Sequence, residues 1–350
     1  MKPGIPILFA AFVVCLCVGG AAAQSENAHG GDVGARGRQF ADQRKFSEAV
    51  VELQAAIEKQ PKGSINYRYL SWALIELKRT KEGIDAARKA IELDPADAIA
   101  YNNLGWGLIT LDQVDEGLEA LRKSLALSPR YHQALSNMGW GLIKQRKFEE
   151  AVEYLKSSIA SKPDHLSAYR ILTEAYFDLG RHEDAAWAFE ALTRLEPNVA
   201  ANYSGLGAAL MSSGKQALAA EAFQRALALK PNDVQTMKNL ATAYAGSGKL
   251  EESVGILRQV VALRPKNHDA LLALGMVLDM ARRHDEAVGV LKEAVEVNPN
   301  SGRAVMVLAT ALLRKGDEAA AREWLPKLKE LDEDLAAILE KDLDRRSVKK

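Results

Sequence analysis

The chain has 350 residues, with 46 Lys+Arg balanced by 46 Asp+Glu, so it offers neither a basic footprint for nucleic acid nor an acidic tail. Apolar residues make up 48% and aromatics only 6%, a balance that favours a folded, helical chain over disorder or a sandwich of sheets. The two cysteines, Cys15 and Cys17, both lie in the first apolar stretch, so a chain cut after it holds no disulfide, thiol nucleophile or cysteine-bound zinc.

Residues 1–24 read MKPGIPILFAAFVVCLCVGGAAAQ. Lys2 gives a positive start, residues 5–18 an apolar core, and Ala21-Ala22-Ala23 a small-residue cleavage signature before Gln24. This pattern predicts a signal peptide over 1–23 and an exported protein, periplasmic or secreted. The alternative is an uncleaved anchor, because residues 3–23 are almost long enough to span a bilayer, and membrane contact is expected only in that case. Val14 and Leu16 precede the cysteines where lipid attachment needs a small residue, which argues against a lipoprotein. Residues 24–32 (QSENAHGGD) read as a polar linker.

Prolines then mark out the rest. Pro61, Pro95, Pro129, Pro163, Pro197, Pro231, Pro265 and Pro299 follow one another at intervals of 34 residues without a slip. With the proline at position 32, repeats begin at residues 30, 64, 98, 132, 166, 200, 234, 268 and 302. Position 8 then holds small or nearly small residues, among them Gly37, Gly105, Gly139, Thr173, Gly207 and Gly275, and position 20 holds small ones, with Gly83, Gly117, Ala151 and Ala185. Small residues on two successive helices let them pack closely. Positions 4, 7 and 11 carry larger apolar residues, such as Tyr101, Leu104 and Leu108, with Leu121 at position 24; spacings of three and four make one stripe per helix. The proline ends the second helix.

This pattern resembles the tetratricopeptide repeat, a 34-residue helix–turn–helix unit. The resemblance implies an all-α, right-handed superhelical solenoid of antiparallel helix pairs, nine repeats over 33–333, closed by a C-terminal capping helix over 334–350. The ends depart from the pattern. Arg36 stands where the first repeat should have a core leucine, so its first helix is expected to fray. Pro326 falls inside the ninth repeat's second helix and predicts a kink. Leu335, Ile338, Leu339 and Leu343 form the stripe that would dock the cap.

No catalytic constellation appears. Gly248-Lys249 is followed by Leu250 and lacks the upstream glycine of a phosphate loop. The histidines after the leader, His29, His132, His165, His182, His268 and His284, form no HExxH or HxH pattern. His182 and His284 share position 17 and read as packing imidazoles. A non-enzyme with no cofactor and no metal is the expectation.

The resemblance places positions 2, 5, 6, 9, 12 and 13 of each first helix on the concave side. Position 9 carries Trp72, Trp106 and Trp140, two of them within Gly-Trp-Gly-Leu-Ile. Position 6 carries Tyr69, Asn103 and Asn137, and position 5 carries Arg68, Asn102 and Arg170. Phe177 at position 12 and Lys144 at position 13 complete the expected contact set. Packed helices lie about 8–10 Å apart and an extended peptide advances about 3.3 Å per residue, so neighbouring indoles would meet every third residue. Asn side chains could donate to and accept from such a backbone, like the asparagine ladder of peptide-binding superhelices of this family. The expected function is therefore a protein- or peptide-binding scaffold in the cell envelope. Three other readings stay open. The tryptophans could be core, with Gly107 and Gly141 making room for them; a tryptophan row could stack on a glycan; or the chain could be a structural subunit of an envelope secretion or polysaccharide-export assembly. The second half of the face carries Met211, Met276, Met280 and Met306, an adaptable apolar surface or gap fillers. The carboxylate clamp of chaperone-tail adaptors is not matched: Arg68, Trp72, Asn103, Gln133 and Asn137 leave it two basic residues short.

Overall fold

The computed structural model describes residues 32–347, so the expected signal peptide and nearly all of the linker lie outside the described residues. Among the described residues there are twenty helices and no strand, the make-up of an all-α solenoid of helix pairs. The chain divides between Leu195 and Glu196 into two compact units.

The first unit pairs α1 (Ala35–Asp42) with α2 (Phe46–Lys59), α3 (Ser64–Glu76) with α4 (Thr80–Leu93), and α5 (Ala98–Thr110) with α6 (Val114–Leu127). It continues with α7 (His132–Lys144) on α8 (Phe148–Ser161) and α9 (Leu166–Asp178) on α10 (His182–Leu195). The second unit pairs α11 (Ala200–Ser212) with α12 (Gln216–Leu229), α13 (Val234–Gly246) with α14 (Leu250–Leu263), and α15 (His268–Met280) with α16 (His284–Val297). It ends with α17 (Gly302–Lys315), α18 (Glu318–Glu323), α19 (Leu325–Leu331) and α20 (Glu333–Ser347).

Each pair turns through one residue in the left-handed region, always position 15 of the repeat. Gly180, Gly214, Gly248 and Gly316 serve there without a Cβ penalty, whereas Arg44, Lys78, Asp112, Arg146 and Arg282 adopt φ of 60 to 65°. Their next amide closes each turn, as Arg79 N does on Leu74 O at 2.9 Å. At the other end, the residue before each proline is extended, Asp94 at φ −141° and ψ 91°, as the proline ring requires.

Small residues bring the paired helices together. A methyl on Gly105 would stand 2.7 Å from both the Gly117 carbonyl oxygen and Leu121 Cγ, so α5 and α6 touch backbone to backbone. One hydrophobic cluster of the first unit is built from Leu53, Ala73, Leu74, Ile75 and two tryptophans; a larger one in the second unit runs from Val254 through Leu291 and Leu308 to Leu343.

The ends show their sequence departures. The first helix of the first repeat, α1, has 8 residues where the other first helices have 13 or 14, and starts without a side-chain cap. Arg36 pairs with Glu52 at 3.4 Å and lies over Phe40 instead of entering the core. The ninth second helix is split at Trp324, which puts Pro326 in the first turn of α19, where its missing N–H has no intrahelical partner to lose. Helix α20 packs on α17 and α19 through Ala336, Leu339 and Leu343. Ile338 lies outside that contact, 50% exposed, so the docking stripe is one residue narrower than its spacing suggests. No helix among the described residues is long and apolar enough to cross a membrane.

Candidate functional site

The expected row of open indoles is not what the chain builds. Trp72 and Trp106 are buried, at 9% and 7% exposure, and only Trp140 is partly open. The Trp72 ring meets Phe46 edge-on at 5.4 Å and Tyr69 at 6.2 Å, and its indole N–H donates to Glu76 Oε1 at 3.4 Å. Both buried indoles belong to the hydrophobic cluster of the first unit, and Trp140 packs against its edge. The reason is steric. A methyl on Gly107 would stand 2.8 Å from Ile84 Cγ1, and one on Gly141 2.7 Å from Leu118 Cδ2. Without side chains there, α5 and α7 settle onto the preceding helix pairs and close the space around the indoles. The flanking glycines were the signal for burial.

The asparagines are also spent inside the protein. Asn137 Nδ2 donates to Asn102 Oδ1 at 2.9 Å, Asn102 Nδ2 to Asn103 Oδ1 at 3.4 Å, and Asn103 Nδ2 to the Arg68 carbonyl at 3.1 Å. This chain of amides runs from α7 through α5 to α3, with all three side chains buried. It ties first helices to each other, where the expected ladder would have presented its amides to a peptide. Arg68 donates to Asp97 at 3.1 Å, and Asp97 in turn caps α5 by accepting from the Ile99 and Ala100 amides. Tyr69 is half-buried beneath the Arg68 guanidinium, and burial pushes its phenol above the usual range. Phe177 packs against Phe189 and His182, with Arg170 half-exposed on the same helix, α9.

Trp140 stays partly open on this face of the first unit. Lys144 Nζ lies 5.6 Å from the centre of that ring and 3.1 Å from Asp112 Oδ1. On α9, Glu174 occupies the position 34 residues after Trp140, with Asp178 one turn beyond, both exposed. Partial burial raises the Glu174 carboxyl and the Asp178 charge raises it further, while Lys144 draws it back down. The spacing that marked the tryptophans also marks Glu174, but a carboxylate breaking an aromatic row is visible only when neighbouring helices are compared.

The first unit also holds a histidine pair. His132 opens α7 and His165 directly precedes α9, their rings meeting edge-on at 4.7 Å. Ser158 Oγ donates to the His132 carbonyl at 2.7 Å and lies 2.9 Å from His165 Nδ1. Burial lowers His132 to about 4 and His165 to about 3, so both are neutral at pH 7.

On the second unit, the same face is apolar and less closed. Met276 and Met306 are half-buried and Met280 is 52% exposed. Arg303 reaches the Met276 sulfur at 3.9 Å. Next to Met280 in the chain, buried Asp279 accepts from Arg314 and meets His284 Nδ1 at 2.7 Å, so His284 orients a carboxylate as well as packing. Among the described residues no three His, Cys, Asp or Glu side chains gather to hold a metal ion.

Models of the tetratricopeptide repeat match residues 35–98, 142–210, 200–233, 238–296 and 281–336. No curated protein matches the chain. Among solved structures, the C-terminal part of a TPR repeat-containing protein from Cytophaga hutchinsonii aligns at 14% identity and a TM-score of 0.54, covering 69% of this chain and 99% of that one. PilW, described as a widely conserved type IV pilus biogenesis factor, aligns at 23% identity and 0.52, covering 61% of this chain and 99% of its own. Both are likenesses of fold. The recurring 34-residue helix pair, its small close-packing positions and the matches along most of its length make this chain a member of the tetratricopeptide-repeat family.

Proposed function

We propose that the protein is a non-catalytic scaffold that receives segments of other proteins on the faces of its first helices. The observation that carries this reading is the methionine surface of α15 and α17. Met276, Met280 and Met306 leave flexible, polarizable side chains partly or largely exposed on adjoining helices, a composition suited to varied apolar partners. The glycan reading loses its support with the burial of Trp72 and Trp106, since sugar rings need open indole faces. We further propose that the chain is exported under the leader at 1–23, which places its partners in the cell envelope or outside the cell.

The test is site-specific photo-cross-linking in the native host. A photoreactive side chain at Met280 or Met306 is expected to give partner adducts, and one at the exposed second-helix positions Val51 or Leu218 is not. Adducts confined to the second helices would replace this reading with an assembly subunit joined through its outer surface. Amino-terminal sequencing of the mature protein checks the export reading, with Gln24 as the expected first residue.

A further inference from the structure

The Trp140 region combines a partly open indole with charged side chains on α7 and α9. Three carboxylates belong to it: Asp112, paired with the Lys144 ammonium group, and Glu174 and Asp178 on α9. The ammonium group is bonded to Asp112, lies over the Trp140 ring and acts on Glu174 through space. The partly open indole therefore has a cation over its ring and two exposed carboxylates on the adjoining helix, at the repeat positions that Trp140 and Lys144 hold on α7.

We propose that Trp140, Glu174 and Asp178 form a recognition site for a Lys or Arg side chain of a protein partner, with Lys144 lying on the indole as an internal stand-in. The inference rests on the scaffold reading above and adds the chemistry of the partner. A guanidinium or ammonium seated on a partly desolvated indole gains from the ring's negative face. Two nearby carboxylates add attraction that steers a basic segment in and rejects an acidic one. Lys144 has an alternative partner in Asp112, so it can swing off the ring without losing its charge pairing.

Isothermal titration calorimetry on the full chain tests this with three capped octapeptides that alternate Ala with Arg, with Glu or with Leu. The Arg peptide is expected to bind and the Glu peptide not to bind, with affinity falling as salt rises. Glu174→Gln with Asp178→Asn should weaken the Arg peptide about tenfold, the loss of two partly screened ion pairs. Lys144→Met should strengthen it several-fold, because the internal competitor is gone. Neither carboxylate supports the core, so thermal unfolding of the double variant stays at or above that of the native chain. Equal binding of the Arg peptide to native and double-variant protein overturns the proposal, as does failure of the Arg peptide to bind. Binding of the Leu peptide alone would remove this site while keeping the scaffold. If no peptide binds, the site falls and cross-linking at Met280 decides the scaffold separately.

Discussion

Two first-helix surfaces of one repeat chain have opposite characters. In the first unit, α3, α5 and α7 are drawn together, the indoles of α3 and α5 buried and the amides bonded in a chain from Asn137 to the Arg68 carbonyl. In the second unit, α15 and α17 present methionines that the core only half covers. The difference follows from what flanks position 9. Gly107 and Gly141 let α5 and α7 approach closely, whereas the residues after Met276 and Thr310 are Val277 and Ala311, whose side chains are themselves buried. A repeat position that resembles a ligand contact can thus be a core position one unit earlier in the same chain.

The sharpest way to break this contrast is Trp106→Ala. Truncating a buried indole should destabilise the protein by about 3–5 kcal/mol, read as a fall in the urea midpoint. A loss below about 1 kcal/mol would mean that the ring faces solvent after all. Next in size, Asn102→Ala removes the middle of the amide chain and strands buried groups of Asn103 and Asn137, at about 1–3 kcal/mol. Gly105→Ala belongs in the same range, because its methyl meets the Gly117 carbonyl on α6.

The histidine pair gives the first unit a pH response of its own. His132 and His165 are held near 4 and 3 when folded against 6.5 when unfolded. Below pH 6.5 the unfolded chain therefore takes up protons that the folded one refuses, and stability falls as the pH drops towards 4. Lys162 adds to this depression and Asp164 opposes it. The raised carboxyls of Glu76 and Glu174 act in the opposite sense, gaining stability as the pH falls through their folded values. Urea midpoints at pH 7 and pH 5 should differ more for the native chain than for His165→Asn, which keeps a hydrogen-bonding partner for Ser158.

Gly248→Ala should lose about 1 kcal/mol, since position 15 is left-handed at φ 81°. Smallest of all, Met280→Ala should change stability by less than about 0.5 kcal/mol, as expected for a side chain that the core hardly holds. A large effect there would make the two surfaces alike.

Much of this fold was legible before any coordinates. Eight prolines in phase and small residues at positions 8 and 20 are enough to specify paired helices, because they act locally, ending a helix or allowing a close contact. The turn residue was hidden: four of the first five repeats place Arg, Lys or Asp in the left-handed position where glycine would have announced it. Among the expected contact residues, Trp140 and Lys144 came together, with Glu174 and Asp178 as unforeseen neighbours. Trp72, Trp106, Asn102, Asn103 and Asn137 turned inward.

Helix pairing and family follow from residues acting on near neighbours in the chain, so sequence alone determined them. Whether an indole at position 9 meets solvent or a neighbouring helix depends on how far apart two first helices settle. That distance reflects the side chains of three successive repeats at once, and only their packing together decided it.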